Sequence, residues 1–310
     1  MKIVCDNKIP FLRGVLEPCA EVVYLPGKET TPDAVKDADA LITRTRTICN
    51  RQLLEGSKVK IIATATIGYD HIDTAWCEAS GIVWKNAPGC NSWSVKQYVS
   101  SVLCTLAGKY GLRFEDLTLG VVGAGNVGSK VADAARIMGM KVLINDPPRF
   151  RGNEAEKKKF ADAGYEIVSL DETVERADII TLHVPLSEEG PDATWHLFDT
   201  KRIALLKPSQ VLINSSRGPV VDNEALRLAL KEGRIKAGVL DVWEKEPEPD
   251  PELLSLLDIA TPHIAGYSAD GKANGTAASV QAVAKHLGLK AQAGSPDLET
   301  RSEEHTSELQ

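Results

Sequence analysis

The sequence predicts an α/β protein of two doubly wound parallel-sheet domains flanking a cleft, and three observations carry that expectation. Its 310 residues are about twice a typical single domain. Short β-branched runs alternate with helix-like segments along most of the chain. That rhythm starts twice, at Lys2 and again at Leu117, with a long helical pattern between the two starts.

In the first third, Lys2 to Cys5, Val22 to Leu25, Ala40 to Thr43 and Lys60 to Thr64 read as strands. After the Pro88-Gly89 turn, Asn91 or Ser92 is a plausible N-cap for a helix running to about Lys109. The second series of strands falls at Thr118 to Val122, Lys141 to Asn145, Ile179 to His183, Val211 to Asn214, Gly238 to Val242 and Asp258 to Ala260. A last helix near Asp270 to Leu287 is placed to fold back onto the first domain. The expected domains are therefore 1–91, completed by 265–290, and 92–264. Residues 291–310 turn polar, carry no apolar period and read as a disordered tail. The stretch 301–310 resembles a translated sequencing adapter.

Composition narrows the function. With 43% apolar and 25% charged residues this is an ordinary globular chain. A net charge of -7 without a basic stripe argues against a nucleic-acid partner. Lys157 to Lys159 sit among acids and read as a solvated helix face. No apolar run reaches the roughly 20 residues of a membrane span. The six cysteines form no C-x-x-C pair and read as reduced, mostly buried thiols of a cytoplasmic protein. No metal site is expected.

Gly123-Ala124-Gly125-Asn126-Val127-Gly128 follows an apolar strand and opens a helix, the context in which G-x-G-x-x-G marks a dinucleotide site. Gly123 permits the tight turn, Gly125 lets the backbone approach a pyrophosphate, and Gly128 lets helix and strand pack closely. Asp146 comes roughly 20 residues later at the end of the next strand, where its carboxylate would accept from the adenosine ribose hydroxyls and repel a 2′-phosphate. The expected cofactor is NAD.

Six histidines are present. His286 falls in a helix and His305 in the tail, His71 reads as a turn cap, and His183 and His196 lack obvious partners. His263, in Thr261-Pro262-His263-Ile264-Ala265-Gly266, follows a strand end, where such sheets present functional groups. Its imidazole titrates in the range needed to take a hydroxyl proton as a hydride leaves. Glu246, after the preceding strand, is placed to orient the ring and stabilise its protonated form. Arg217, in Asn214-Ser215-Ser216-Arg217-Gly218, carries a fork suited to a substrate carboxylate.

These blocks resemble the D-isomer-specific 2-hydroxyacid dehydrogenase family, whose catalytic arginine, glutamate and histidine match Arg217, Glu246 and His263. The resemblance runs to about residue 290 and implies a flavodoxin-like substrate domain and a Rossmann NAD domain. A branch acting on phosphorylated hydroxy acids is similar at Met1-Lys2-Ile3, Ala63 to Thr66, Ala87 to Asn91, Asp146-Pro147-Pro148-Arg149 and His263 to Tyr267. That similarity implies NAD-dependent oxidation of 4-phospho-D-erythronate to its 2-oxo acid in vitamin B6 synthesis. It implies substrate contacts from Thr45, Thr66 and Tyr267. It also implies NAD contacts from Val184, Ser215, Ser216, Asp241 and Gly266, beside Asn126 and Val127 of the loop. Arg44 and Arg46 are the candidate cations for the substrate phosphate. Homodimers are implied too, although the branch's C-terminal dimerisation domain has no counterpart here.

Against the family pattern, Gln97 replaces a glutamate, Thr45 replaces a serine, and Glu154 to Phe160 reads as a small helical insertion. The alternatives are a dehydrogenase for 3-phosphoglycerate or glycerate, and a non-catalytic NAD-sensing protein.

Overall fold

A computed structural model describes residues 1–290, and the expectations for 291–310 lie outside the described residues. The described residues divide into two compact units, Met1–Asn91 with 268–290, and Ser92–Tyr267.

The first unit is a five-stranded parallel sheet of β1 (Lys2–Asp6), β2 (Glu21–Leu25), β3 (Ala40–Thr43), β4 (Ile61–Thr64) and β5 (Val83–Lys85). Its strand order is β2-β1-β3-β4-β5, the flavodoxin-like doubly wound order. Every residue of β3 and β4 is buried, as a sheet covered on both faces requires. The helix Ala269–Leu287 belongs to this unit and puts Val280 and Val283 against Ile3, Cys5 and Ile42. Gly275 lets it lie close, because a Cβ there would stand 2.5 Å from the Ala65 carbonyl oxygen. Ser268 caps its start by accepting from the Gly271 N–H, and Gly288, at φ 67°, ends it.

The second unit is a seven-stranded parallel sheet. Its strands are β6 (Thr118–Val122), β7 (Lys141–Asn145), β8 (Glu166–Ile167), β9 (Ile179–Leu182), β10 (Val211–Asn214), β11 (Ala237–Leu240) and β12 (Ile259–Ala260). The order β12-β11-β10-β9-β6-β7-β8 is the Rossmann order extended by one strand. The chain runs outward from β6 through β7 and β8, then returns to place β9 on the other side of β6. That reversal puts the topological switch point between the ends of β6 and β9. The long helix Ser92–Tyr110 buries Val95, Val99, Val102, Leu103 and Leu106, a 3-4 spaced stripe, into the core that holds Leu119 and Val121. The segment Glu154 to Phe160, expected to be helical, lies in a helix, Glu154–Asp162, capped by Asn153.

Two strands escape sequence reading. β5 has three residues and β8 two, both at sheet edges and without a buried apolar run, so neither carries a periodic signal. His71 is also corrected: it is 6% exposed with no hydrogen-bond partner for Nε2, and burial lowers its pKa, so it sits in the core as a neutral ring.

Candidate active site

Register builds the site. Val122 pairs with Asn145 and Leu182, Leu182 with Asn214, Asn214 with Leu240, and Leu240 with Ala260. The C-terminal ends of six parallel strands are thus level, and the residues that follow them share one edge. These residues are Gly123, Asp146, His183 with Val184, Ser215 to Arg217, Asp241, and Thr261 to His263.

The glycine loop leaves β6 with Gly123 at φ 89°. A Cβ at Gly123 would stand 2.4 Å from the His183 carbonyl oxygen and 2.9 Å from Val184, so the loop crosses the switch point against the end of β9. A Cβ at Gly128 would lie 1.8 Å from the Gly123 carbonyl oxygen, which explains the third glycine at the mouth of the helix Gly128–Ile137. Gly125 instead faces open space. A phosphate group fits there, over the N–H groups that the first helical turn leaves without intrahelical acceptors. At the end of β10, the buried Ser215 hydroxyl lacks a hydrogen-bond partner. The open face of Gly125 and this orphaned hydroxyl are both suited to a bound dinucleotide. Asp146 is half-buried; its Oδ2 accepts from the Ala124 N–H at 2.8 Å and its Oδ1 from the Arg149 N–H at 3.1 Å.

Arg217 ends a loop organised by Asn214, whose Oδ1 accepts from the Ser216 N–H and hydroxyl while its Nδ2 donates to the Arg217 carbonyl. Gly218 is required there because a Cβ would stand 2.0 Å from the Trp243 carbonyl.

Glu246 and His263 meet. The His263 Nδ1 lies 2.9 Å from Glu246 Oε2, and Glu246 Oε1 accepts from the Trp243 N–H at 3.0 Å. A carboxylate only accepts, so Nδ1 carries the proton and Nε2 is the nitrogen left for chemistry. The bond to Glu246 raises the His263 pKa, against partial burial and the positive charge of Arg217. Burial pushes Glu246 up, but the bonds from His263 and Trp243 outweigh it and hold the carboxylate below its ordinary value. Arg217 acts electrostatically on both, so the three predicted residues form one cluster.

His263 has φ 57°, a left-handed conformation that costs a residue with a Cβ roughly 1–2 kcal/mol. Asp241, 1% exposed, holds it there. Its carbonyl accepts from the His263 N–H at 2.7 Å. Its Oδ1 accepts from Thr261 Oγ1 at 2.6 Å and the Ile264 N–H at 2.8 Å, and its Oδ2 from the Ala265 N–H at 2.8 Å. Both carboxylate oxygens are thus engaged by the histidine loop. Gly266 and Tyr267 continue that loop, Tyr267 51% exposed.

The other expected substrate residues lie in the first unit, after the level ends of β3 and β4. Thr45 and Arg46 are exposed, and Arg44 donates to the Lys8 carbonyl at 2.8 Å. Thr66 Oγ1 is 2.7 Å from Thr64 Oγ1 and donates to the Gly68 carbonyl. Two further histidines have partners that the sequence did not reveal: His183 Nε2 meets Thr181 Oγ1 at 3.0 Å, and His196 Nε2 meets Glu244. Asn214, Trp243 and Thr261 were also missed as organisers; two of their roles run through a backbone group, which leaves no motif.

The described residues hold no acidic or histidine cluster able to bind a metal, and no helix long and apolar enough to cross a membrane. Residues 94–265 match the model of the D-isomer specific 2-hydroxyacid dehydrogenase NAD-binding domain. The chain belongs to that family, as an NAD-dependent oxidoreductase. Within it, the chain is 54% identical over 291 residues to the erythronate-4-phosphate dehydrogenase of Bacteroides fragilis, covering 94% of this chain and 81% of the relative. It is 44% identical to the enzyme of that name from Porphyromonas gingivalis, covering 94% and 76%. Among solved structures, the D-lactate dehydrogenase of Aquifex aeolicus complexed with NAD and lactic acid superposes with a TM-score of 0.77. It is 28% identical, with 93% of this chain and 96% of that one covered.

Proposed function

We propose that this protein oxidises 4-phospho-D-erythronate to (R)-3-hydroxy-2-oxo-4-phosphobutanoate with NAD, a step of pyridoxine 5′-phosphate biosynthesis. The observation that carries the chemistry is the 2.9 Å bond between Glu246 and His263 on the strand-end edge that also presents Arg217. The substrate follows from the relatives' shared name.

NAD, when bound, supplies the hydride acceptor for C2 of the substrate. The glycine loop Gly123 to Gly128 would hold its pyrophosphate and Asp146 its adenosine ribose, and Val184, Ser215, Ser216, Asp241 and Gly266 would complete the cofactor contacts. Arg217 binds the substrate carboxylate with its fork. His263 Nε2 takes the C2 hydroxyl proton, and Glu246 stabilises the resulting imidazolium. Thr45, Thr66 and Tyr267 contact the substrate, with Arg44 and Arg46 as cations for its phosphate. A cytoplasmic homodimer is the form that the family resemblance implies, and sedimentation of the purified chain tests the dimer.

The test is NADH formation by the purified protein with 4-phospho-D-erythronate, 3-phosphoglycerate and glycerate, repeated with His263→Ala. Turnover is expected with the first acid, falling by about 10²–10⁴ in the variant while NADH affinity stays within about threefold. Preference for another acid overturns the substrate. Full turnover by the variant overturns the role of His263.

A further inference from the structure

Arg149 follows Asp146 by three residues and places its guanidinium beside the cofactor loop. Its Nη1 donates to the Ala124 carbonyl, while the Ala124 N–H is held by Asp146. The middle of the glycine loop is therefore gripped from one side by a carboxylate and from the other by a cation. In dinucleotide-binding sheets these two residue types have opposite meanings at this place: the carboxylate takes the ribose hydroxyls of NAD, and an arginine accommodates the 2′-phosphate of NADP. This chain has both.

What decides between them is the helix Glu154–Asp162. It projects Glu156, whose Oε2 accepts from Arg149 Nε at 2.8 Å and Nη2 at 2.6 Å. Phe160 of the same helix lies under the guanidinium, 4.9 Å from ring centre to Cζ. The pair is only partly exposed, 30% for Arg149 and 26% for Glu156, so solvent screens it less than an open surface pair. The other cation near Glu156 is Lys159, 3.7 Å away and 69% exposed. Three of the guanidinium's nitrogens are thus engaged within the protein.

We propose that Glu156 is a cofactor-specificity residue: it occupies and neutralises Arg149, so that an arginine beside the ribose carboxylate, placed to receive a 2′-phosphate, is spent on the helix Glu154–Asp162. Discrimination against NADP then has two parts, repulsion by Asp146 and withdrawal of Arg149. The inference rests on the NAD-binding domain and is independent of the hydroxy acid, so its test needs no turnover.

NADH and NADPH affinities, read by fluorescence titration, and those of 2′-AMP and 5′-AMP, read by calorimetry, are compared for the natural chain, Glu156→Gln, Glu156→Ala and Glu156→Gln/Arg149→Met. Freeing the guanidinium is expected to tighten NADPH and 2′-AMP by about tenfold, the worth of one charge-assisted contact of about 1.4 kcal/mol. NADH and 5′-AMP should change by less than about threefold, and the gain should vanish in the double variant. Unchanged NADPH-to-NADH ratios in both Glu156 variants overturn the proposal. So does a gain that survives Arg149→Met, or a parallel loss of NADH affinity.

Discussion

Replacing Glu246 by Gln changes one atom yet removes the carboxylate's ability to accept at both oxygens. The Trp243 N–H, on a residue 5% exposed, only donates, so it draws the amide oxygen to the Oε1 position. The amide NH2 then faces His263 Nδ1. A neutral ring answers by making Nδ1 the acceptor, which moves its proton to Nε2, the nitrogen that should be empty to take the hydroxyl proton. The reverse amide orientation restores the useful tautomer but turns the NH2 against the Trp243 N–H, at a cost of about 1–3 kcal/mol for the orphaned donor. Loss of the negative charge beside the imidazolium adds to this. A buried pair would add more, but His263 is 49% and Glu246 38% exposed, so about 1 kcal/mol is appropriate. The sum, about 3 kcal/mol, corresponds to a fall of roughly 150-fold in kcat for oxidation.

The pH profile provides the decisive readout. Glu246 raises the His263 pKa, so oxidation, which needs the neutral ring, should gain rate with pH through a midpoint above 6.5, and Glu246→Gln should move that midpoint down. The stability linkage has the opposite direction in pH. The contribution of the pair through His263 is complete below the unfolded value near 6.5 and is lost as pH rises through the higher folded value; the variant should lack that slope. A kcat within about fivefold of the natural enzyme, with an unmoved midpoint, would refute the argument that Glu246 acts through the ring.

Two further perturbations test the frame around this pair. Gly128→Ala puts a methyl 1.8 Å from the Gly123 carbonyl oxygen, so the loop must move; NADH affinity by fluorescence titration should fall about 100-fold, and a fall under tenfold would mean that the loop adapts. Asp241→Asn leaves one acceptor oxygen where two now serve Thr261, Ile264 and Ala265, so at least one donor loses its partner. Urea unfolding should show about 3 kcal/mol lost, with kcat reduced because His263 is released from its left-handed backbone, and a loss under about 1 kcal/mol would contradict the clamp.

The legibility of this chain follows from where its functional groups sit. In a parallel sheet covered on both faces, strands are short continuous apolar runs, and whatever polar residue follows each run must emerge at one edge. Arg217 and His263 are readable because each stands in a short polar block behind such a run, and Gly123 and Gly128 because their missing side chains make room for backbone. Asp241 comes only from the family resemblance, since in sequence its strand reads on to Val242, whereas the folded strand ends at Leu240. Reading along the chain finds residues whose role is set by position. It does not find roles set by pairing. His196 and Glu244 are 48 residues apart, Asp241 grips a loop 20 to 24 residues away, and Arg149 is neutralised from a separate helix seven residues on. Nothing local in the sequence distinguishes Glu156 from its neighbour Glu154, which pairs with Lys157 in solvent. The insertion therefore reads as a solvated helix in sequence, although in three dimensions one of its faces carries the group that cancels Arg149. If that cancellation sets cofactor choice, members of this fold lacking the helix but keeping both the acid and the arginine should tolerate NADP better than this chain does.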